Sequence, residues 1–472
     1  MPQAPDGRVP TMRIVVLGGG PGGYSAAFEA ARLGADVVLV ERERLGGTCL
    51  NKGCIPTKTI LRTARVVSET AHAEELGLTG AVATVEVPAL RARKEAVVDE
   101  LVGQVEGTAR RLKVEVVAGE GRLTGPRTVE VVPDSGGTVV LEGDAVILAT
   151  GSEVFRLPNI DHSMEGVWTS DDAVALTDIP KSVVIIGGGV IGLEFACVYA
   201  TLGSCVTVVE LMDQVLPGND RRVARAAQEA LEALGVEFRL ADAVEKVDRL
   251  DERMYADLRS GTLLEADVVM SAVGRKPFSE GLGFPEAGIE MDRAAVKVDE
   301  HFRTSVPGVY AIGDLIGGMM LAHVAEEEGV AAARNAVAEL SGASAHETVR
   351  YDCIPACVYT FPEVAVVGSS RDSAKERGVD AVQSVMKFTG NGKALAERES
   401  DGFVQMVAEK GTGRIVGCQI VGPHAVEIVH EVAVAMRHGI TVRDLAETVH
   451  AHPTVSEVVR AAAADAAGKC GV

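Results

Sequence analysis

The chain has 472 residues, 47% of them hydrophobic but only 4% aromatic, with 52 glycines. That is enough for three or four domains with large buried cores, and it suits a soluble α/β protein with Gly-rich turns between parallel strands and helices. A formal charge of -21, from 46 basic and 67 acidic residues, would repel a phosphate backbone or an anionic membrane surface, which excludes nucleic acid as a partner. The longest apolar stretch, near Val183–Leu193, contains three successive glycines and is shorter than the roughly 20 residues needed to cross a bilayer, so no membrane span is expected. The opening segment MPQAPDGRVPT lacks the apolar core of a signal peptide and reads as a flexible lead-in, so a cytoplasmic location is expected.

The first elements form a βαβ unit. Arg13–Leu17 (RIVVL) leads into a glycine turn with Gly18, Gly20 and Gly23, then helix-compatible Tyr24–Leu33, then the apolar run Asp36–Val40 ending at Glu41. The three glycines allow a tight turn, close approach of a pyrophosphate and close helix–strand packing, while the helix N-terminus faces the phosphates. Next comes GGTCLNKGCIPTK, with Cys49 and Cys54 five positions apart at the expected start of a helix. A modest distortion of the first turn would bring the sulfurs to bonding distance, and a helix N-terminus favours the thiolate. A redox pair is the leading reading. Buried free thiols and a zinc site are the alternatives, the latter lacking a second Cys/His pair nearby.

Val146–Leu148 then runs into Ala149, Thr150 and Gly151, a buried-type strand ending where backbone must approach a ligand. A second βαβ unit repeats the first: Val183–Ile186, a turn with Gly187, Gly189 and Gly192, helix-compatible Leu193–Leu202, and the strand Cys205–Val209 ending at Glu210. Glu41 and Glu210 each lie about 20 residues beyond their first glycine, where a carboxylate can accept both ribose hydroxyls of an adenosine. Two such sites in one chain suggest a relay in which one holds a flavin and the other gives or takes hydride. Met270–Val273 ends at Gly274, and Val309–Ile312 ends at Gly313 and Asp314, whose carboxylate could meet a flavin ribitol, although Gly-Asp alone is usually a turn. The short candidate strands between Leu263 and Arg303 have no evident order.

Beyond about residue 350 the pattern changes to strands (Ala356–Thr360, Gly402–Val407, Ile415–Val421) and amphipathic helices (Ala425–His438, Thr441–Thr448) without a nucleotide motif. Eight cysteines over this length are too few for a secreted disulfide scaffold. Of the other six, Cys197, Cys205 and Cys418 fall on apolar faces and read as core, Cys353 and Cys357 as structural, and Cys470 as a solvated bystander. Near the end stands HAHPTVSE. Two solvent-facing loop histidines are the bland reading. The sharper one has His452 as a base whose ring is held by Glu457, as thiol deprotonation at neutral pH requires.

GGTCLNKGCIPTK, GGGVIGLE, AIGD, LAH, GPHAVEI and HAHPTVSE together resemble, along nearly the whole chain, the flavoprotein disulfide reductases, most closely the dihydrolipoyl dehydrogenases. The resemblance implies two Rossmann-like dinucleotide-binding domains plus a central domain and a C-terminal α+β dimer-interface domain. Residues 1–150 would bind FAD and carry the redox disulfide, 151–280 would bind NAD, 281–350 would complete the FAD site, and 351–472 would form the interface. Cys54 would face the flavin and Cys49 would exchange with substrate. Lys58 would pair with Glu194 beside the isoalloxazine, Glu41 and Asp314 would bind FAD, and Leu321, Ala322 and His323 would lie against the flavin. Gly187, Gly189, Gly192, Glu210 and Gly274 would bind NAD. His452 and Glu457 would reach the disulfide of the opposite subunit in a homodimer served by a lipoyl-bearing carrier protein or multienzyme complex. Two departures stand out: Lys52 inside the redox loop, where a neutral aliphatic residue or Arg is usual, and Phe361, where His or another residue is expected. Lys52 could tune the substrate or the thiolate, and Phe361 reads as packing.

The leading expectation is oxidation of a dihydrolipoyl group with NAD+ as acceptor. An NAD(P)H-dependent reductase of another small disulfide competes with it. Such enzymes usually favour NADPH and carry cations beyond the second strand, whereas here Leu211 and Met212 follow Glu210. A flavoprotein kept only as a complex-assembly subunit would have been favoured by loss of Cys49, Cys54 or His452, and all three are present.

Overall fold

Runs of Val, Ile and Leu precede both glycine turns, and a strand apolar on both faces belongs at the centre of a covered sheet. In the computed structural model, which describes residues 12–343 and 346–472, both runs sit there. The MPQAPDGRVPT lead-in lies outside the described residues.

The chain divides into two units, the first built from described residues up to Thr59, Arg91–Phe155 and Arg275–Val349. Its central strand Arg13–Leu17 lies between Asp36–Glu41 and Ala145–Leu148, with Glu115–Ala118 and Val309–Ala311 at the edges and every pairing parallel. Alternation along the strand divides its side chains between two layers. Ile14 and Val16 pack under the helices Pro21–Arg32 and Ala322–Leu340. Val15 and Leu17 pack against the antiparallel sheet Glu120–Gly125, Thr128–Val132 and Val139–Glu142. The two helices approach closely because their facing residues are small: a Cβ on Gly329 would lie 2.3 Å from the carbonyl oxygen of Gly22.

The second unit comprises Ile60–Leu90, Arg156–Gly274 and Arg350–Val472, and it contains the same plan again. Ser182–Ile186 lies between Cys205–Glu210 and Val268–Ser271, with Glu237–Leu240 and Val167–Trp168 outside them, all parallel. An antiparallel sheet of Val244–Leu250, Arg253–Leu258 and Leu263–Ala266 accompanies it. The sequence repeat is therefore a repeat of sheet order. Both nucleotide helices start three residues earlier than the apolar pattern indicated, at Pro21 and Val190, because their first turns are built from residues of the glycine motif itself. The strand expected to reach Val273 ends at Ser271. Among the segments that had no evident order, Arg275–Pro277 pairs with Ser152–Val154 in the first unit, and Met291–Asp292 pairs with Ala295–Val296.

The C-terminal part of the second unit is a five-stranded antiparallel sheet in the order Pro355–Val358, Glu363–Gly368, Ile415–Gly422, Phe403–Glu409, Ala381–Lys387. Helix Ala425–His438 has the expected bounds. The next helix is Val442–Glu447, since Thr441 caps it: its hydroxyl accepts from the Asp444 N–H, and the Asp444 carboxylate accepts from the Thr441 N–H at 2.9 Å. The chain is thus α/β, with two Rossmann-like domains and a C-terminal α+β domain. Among the described residues no helix is long and apolar enough to cross a membrane.

Cys197 and Cys418 are core residues as expected, and Cys353 and Cys357 are half-buried against the C-terminal core. Two readings change. Cys205 is exposed at the start of its strand. Cys470 is not solvated but 5% exposed, because the small-residue tail continues as helix Glu457–Cys470 and packs its Ala face on the sheet.

Gly329→Ala should destabilise the protein by about 1–3 kcal/mol, the cost of overpacking a tight contact, and lower the thermal midpoint. Gly468→Ala, on a helix position where a Cβ meets nothing within 4 Å, should instead be neutral or stabilising by up to about 1 kcal/mol. Thermal unfolding followed by far-UV circular dichroism compares the two.

Candidate functional site

The two glycine turns are superimposable in their contacts. Gly18 and Gly187 both have φ of +107°, a region open to glycine, and a Cβ on Gly23 or Gly192 would fall 1.8 or 2.0 Å from the carbonyl oxygen of Gly18 or Gly187. The helices that follow have Gly20 and Gly189 as N-caps and so no side-chain cap, which leaves their first N–H groups open to a phosphate. Glu41 accepts from the N–H of Gly19 at 2.7 Å and of Glu43 at 2.8 Å; Glu210 accepts from Gly188 at 2.6 Å and from Met212 at 2.8 Å. Each carboxylate so braces its own turn and keeps lone pairs for ribose hydroxyls. An uncapped helix end with a fixed carboxylate beyond it fits an adenine dinucleotide, and the chain has two.

Around the first turn lie the other residues expected at the flavin. Thr150 donates to the carbonyl of Phe278 at 2.6 Å, and Gly151 accepts from the Phe278 N–H at 2.9 Å. Asp314 follows its strand in a short 3-10 turn, accepts from the Ser152 hydroxyl, and is steadied by buried Glu328, which accepts from the Gly313 N–H at 2.7 Å. Leu321 is the N-cap of helix Ala322–Leu340, with Ala322 and His323 in its first turn. In the second unit, Glu194 is buried and accepts from the Tyr359 N–H at 3.1 Å, and Gly274 has φ of +111° with open space where a Cβ would point.

The redox segment departs from one distorted helix. Cys49 lies in the short helix Gly47–Asn51 and Cys54 opens a separate one, Cys54–Ala71, with Lys52 and Gly53 making the break. Several contacts hold the short helix. Gly46 N–H donates to Gly19 at 2.8 Å, Gly47 packs on Gly20, and the Asn51 amide donates to the carbonyls of Gly47 at 2.9 Å and Leu45 at 3.1 Å. The structure holds the pair as thiols. The hydrogen bond with Cys54, and then burial, push the Cys49 thiol up; Glu326 adds to this and Lys58 opposes it. This disfavours a thiolate at Cys49, whereas Cys54 opens a helix, a position that favours one. Glu326 is itself bonded by the Tyr24 hydroxyl at 2.7 Å. Lys52 pairs with Glu43, while Phe361 packs with the Arg65 guanidinium 5.2 Å above its ring.

The two histidines differ sharply. His450 is held at 2.6 Å by Glu431 with its side chain 8% exposed, whereas the His452 side chain is 79% exposed. Nδ1 of His452 meets Glu457 at 3.0 Å, leaving Nε2 to face outward, and the other Glu457 oxygen accepts from the Thr454 N–H at 2.9 Å. That backbone bond first, then His452, hold the Glu457 carboxyl below its ordinary value, so it is ionised at neutral pH and can orient an imidazole and stabilise its cation.

Residues 12–329 match the family model for pyridine nucleotide-disulphide oxidoreductases, and residues 354–463 match the dimerisation domain of the same family. The chain belongs to the pyridine nucleotide-disulphide oxidoreductase family. It is similar to leghemoglobin reductase of Glycine max, 41% identical over 458 residues covering 95% of this chain and 86% of that protein. It is also similar to the mitochondrial dihydrolipoyl dehydrogenase of Dictyostelium discoideum, 40% identical over 467 residues covering 97% and 94%, and to the dihydrolipoyl dehydrogenase of Haloferax volcanii, 39% identical over 466 residues covering 97% and 96%. Among solved structures, LpdA of Mycobacterium tuberculosis matches with a TM-score of 0.89 at 29% identity, covering 96% of this chain and 99% of that one. As a member of this family the protein uses FAD and NAD(H), in accord with its two dinucleotide turns.

Several residues of this oxidoreductase site went unread in the sequence. Asn51 and Glu328 act through backbone groups, and Tyr24 and Glu326 stand 302 positions apart with no local pattern to join them. The contact most exposed to test is Gly47, where φ is +54° and a Cβ would sit 2.6 Å from the Cα of Gly20. Gly47→Ala must shift the redox helix off the nucleotide turn. We expect the purified variant to carry less flavin per chain and to be reduced at least about tenfold more slowly by dithiothreitol, a barrier change of roughly 1.4 kcal/mol.

Proposed function

We propose that the protein oxidises a protein-bound dihydrolipoyl group to lipoyl and passes the electrons to NAD+; the names of two relatives, dihydrolipoyl dehydrogenases, support the dihydrolipoyl part of this reading. The observation that carries this is the Cys49 thiol bonded to Cys54 across a helix break, a pair that can close to a disulfide and reopen. In the oxidised protein, a dihydrolipoyl thiolate attacks Cys49, forming a mixed disulfide and releasing Cys54 as thiolate. The second lipoyl thiolate then attacks the lipoyl sulfur of that bond, closing the lipoyl ring and leaving Cys49 as thiol. His452 takes the proton of the first attacking thiol, and Glu457 stabilises the resulting imidazolium; the proton of the second attacking thiol ends on the departing Cys49 sulfur, so the pair is left as Cys49 thiol and Cys54 thiolate with one proton on His452. FAD, when bound, accepts the electron pair from the reduced cysteines and NAD+ receives it as hydride.

Each residue has a proposed place in this scheme. Gly18, Gly20, Gly23, Glu41, Thr150, Gly151, Asp314 and the Leu321–Ala322–His323 turn hold FAD, with Lys58 and Glu194 assigned to its reactive end. Gly187, Gly189, Gly192, Glu210 and Gly274 hold NAD. The division at 1–150, 151–280, 281–350 and 351–472 follows these tasks. The family's dimerisation domain and the outward Nε2 of His452 support a homodimer in which His452 serves the partner's disulfide. A thiol pair that must reopen suits a reducing compartment, and the cytoplasm is the proposed location.

The bonding of Glu210 dictates cofactor choice, since its carboxylate would repel a 2′-phosphate. Turnover of dihydrolipoamide should have a kcat/KM for NAD+ at least about a hundredfold above that for NADP+, roughly 2.7 kcal/mol. Equal values would overturn the assignment, and absence of turnover with dihydrolipoamide beside turnover of another disulfide would favour the reductase alternative. Loss of His452 should slow thiol exchange by roughly 10²–10⁴-fold without loss of flavin. A hybrid of Cys49→Ala and His452→Ala chains would contain one intact composite site. Its activity should exceed that of either parent, and a flavin-replete hybrid as inactive as its parents would exclude service across the dimer.

A further inference from the structure

The short helix that carries Cys49 has five residues, too few to be stable alone, so its position depends on outside anchors. One of them belongs to a residue that the scheme above leaves without a role. Arg275 opens the strand Arg275–Pro277, and its guanidinium reaches three acceptors: Nε donates to the Ser152 hydroxyl at 2.8 Å, and Nη2 donates to the Ser152 carbonyl at 2.8 Å and to the Thr48 hydroxyl at 3.3 Å. The Ser152 hydroxyl in turn donates to Asp314. Thr48 is the neighbour of Cys49. A continuous polar chain therefore runs from the redox helix through Arg275 and Ser152 to the carboxylate assigned to the flavin ribitol.

We propose that Arg275 is a positioning residue that sets the register of Cys49 against Cys54 and ties it to the flavin-side carboxylate Asp314. A guanidinium suits this task because its planar fork spans two oxygens of Ser152 and still reaches Thr48, which the single ammonium of lysine cannot do with the same geometry. Its bonds to these neutral groups are charge-assisted and hence stronger than neutral pairs. Ser152 is buried, so its hydroxyl depends on these partners rather than on water. The inference rests on the thiol-exchange reading above.

The test is a double-mutant cycle with Arg275→Met and Thr48→Val, and with Thr48→Ser and Arg275→Lys as controls. Its readouts are the rate and equilibrium constant for reduction of the Cys49–Cys54 disulfide by dithiothreitol, the long-wavelength thiolate–flavin absorbance of the two-electron-reduced protein, and flavin content. Arg275→Met and Thr48→Val should each slow reduction about tenfold and weaken the long-wavelength band, with the KM for dihydrolipoamide changed less than about threefold. The double variant should be no slower than the worse single variant by more than about twofold, because both remove one linkage. Thr48→Ser should keep wild-type behaviour and Arg275→Lys should resemble Arg275→Met. Multiplicative losses near a hundredfold, or a silent Thr48→Val, would overturn the role of Arg275. Thr48→Val is nearly isosteric, so it decides the matter even if Arg275→Met fails to fold. A wild-type protein that dithiothreitol and dihydrolipoamide leave unreduced would instead overturn the thiol-exchange reading itself.

Discussion

The contact between Gly47 and Gly20 is the constraint on which the rest of the site depends. With no side chain on either residue, the start of the redox helix rests directly on the first glycine turn, and the Gly46 N–H to Gly19 bond of 2.8 Å locks the two together. A thiol pair is useful to a flavin only if it is held near where the flavin will lie. Here the first glycine turn and the element that presents Cys49 are in van der Waals contact, so placing one places the other.

The same economy governs the carboxylates. Glu41 and Glu210 each spend two acceptor sites on backbone N–H groups of their own turn, which fixes the side chain in advance and would reduce the ordering cost of any ligand it meets. Glu457 is fixed by the Thr454 N–H and so holds the His452 ring in one orientation. In each case a backbone donor pre-orients an acid, and the acid pre-orients the next group.

Electrostatics divides the labour between the cysteines. Cys49 is half-buried among Glu326, Tyr24 and Cys54, an environment that penalises a second negative charge, while Cys54 stands at the first turn of helix Cys54–Ala71, where a thiolate is favoured. A proton held on Cys49 keeps the reduced pair from carrying two charges side by side. The exposed His452 and the enclosed His450 show a similar division: one imidazole is turned to solvent, the other is held at 2.6 Å by Glu431.

Local pattern alone determined the two βαβ units, their glycine turns, the closing glutamates, the cysteine spacing and the His452–Glu457 pair, because each depends on residues within about 25 positions of one another, where helix and strand periods dictate geometry. Helix Ala425–His438 was legible to the residue for the same reason. Tertiary structure decided what depends on distant partners. Cys470 is buried because its helix meets a sheet formed far upstream, and Cys205 is exposed because its strand begins at a surface. The order of the strands beyond Leu263 follows from pairings such as Arg275–Pro277 with Ser152–Val154. Tyr24 meets Glu326, and Arg275 meets Thr48, across 302 and 227 positions, distances over which a sequence carries no periodicity and only the packing of sheets and helices brings side chains together.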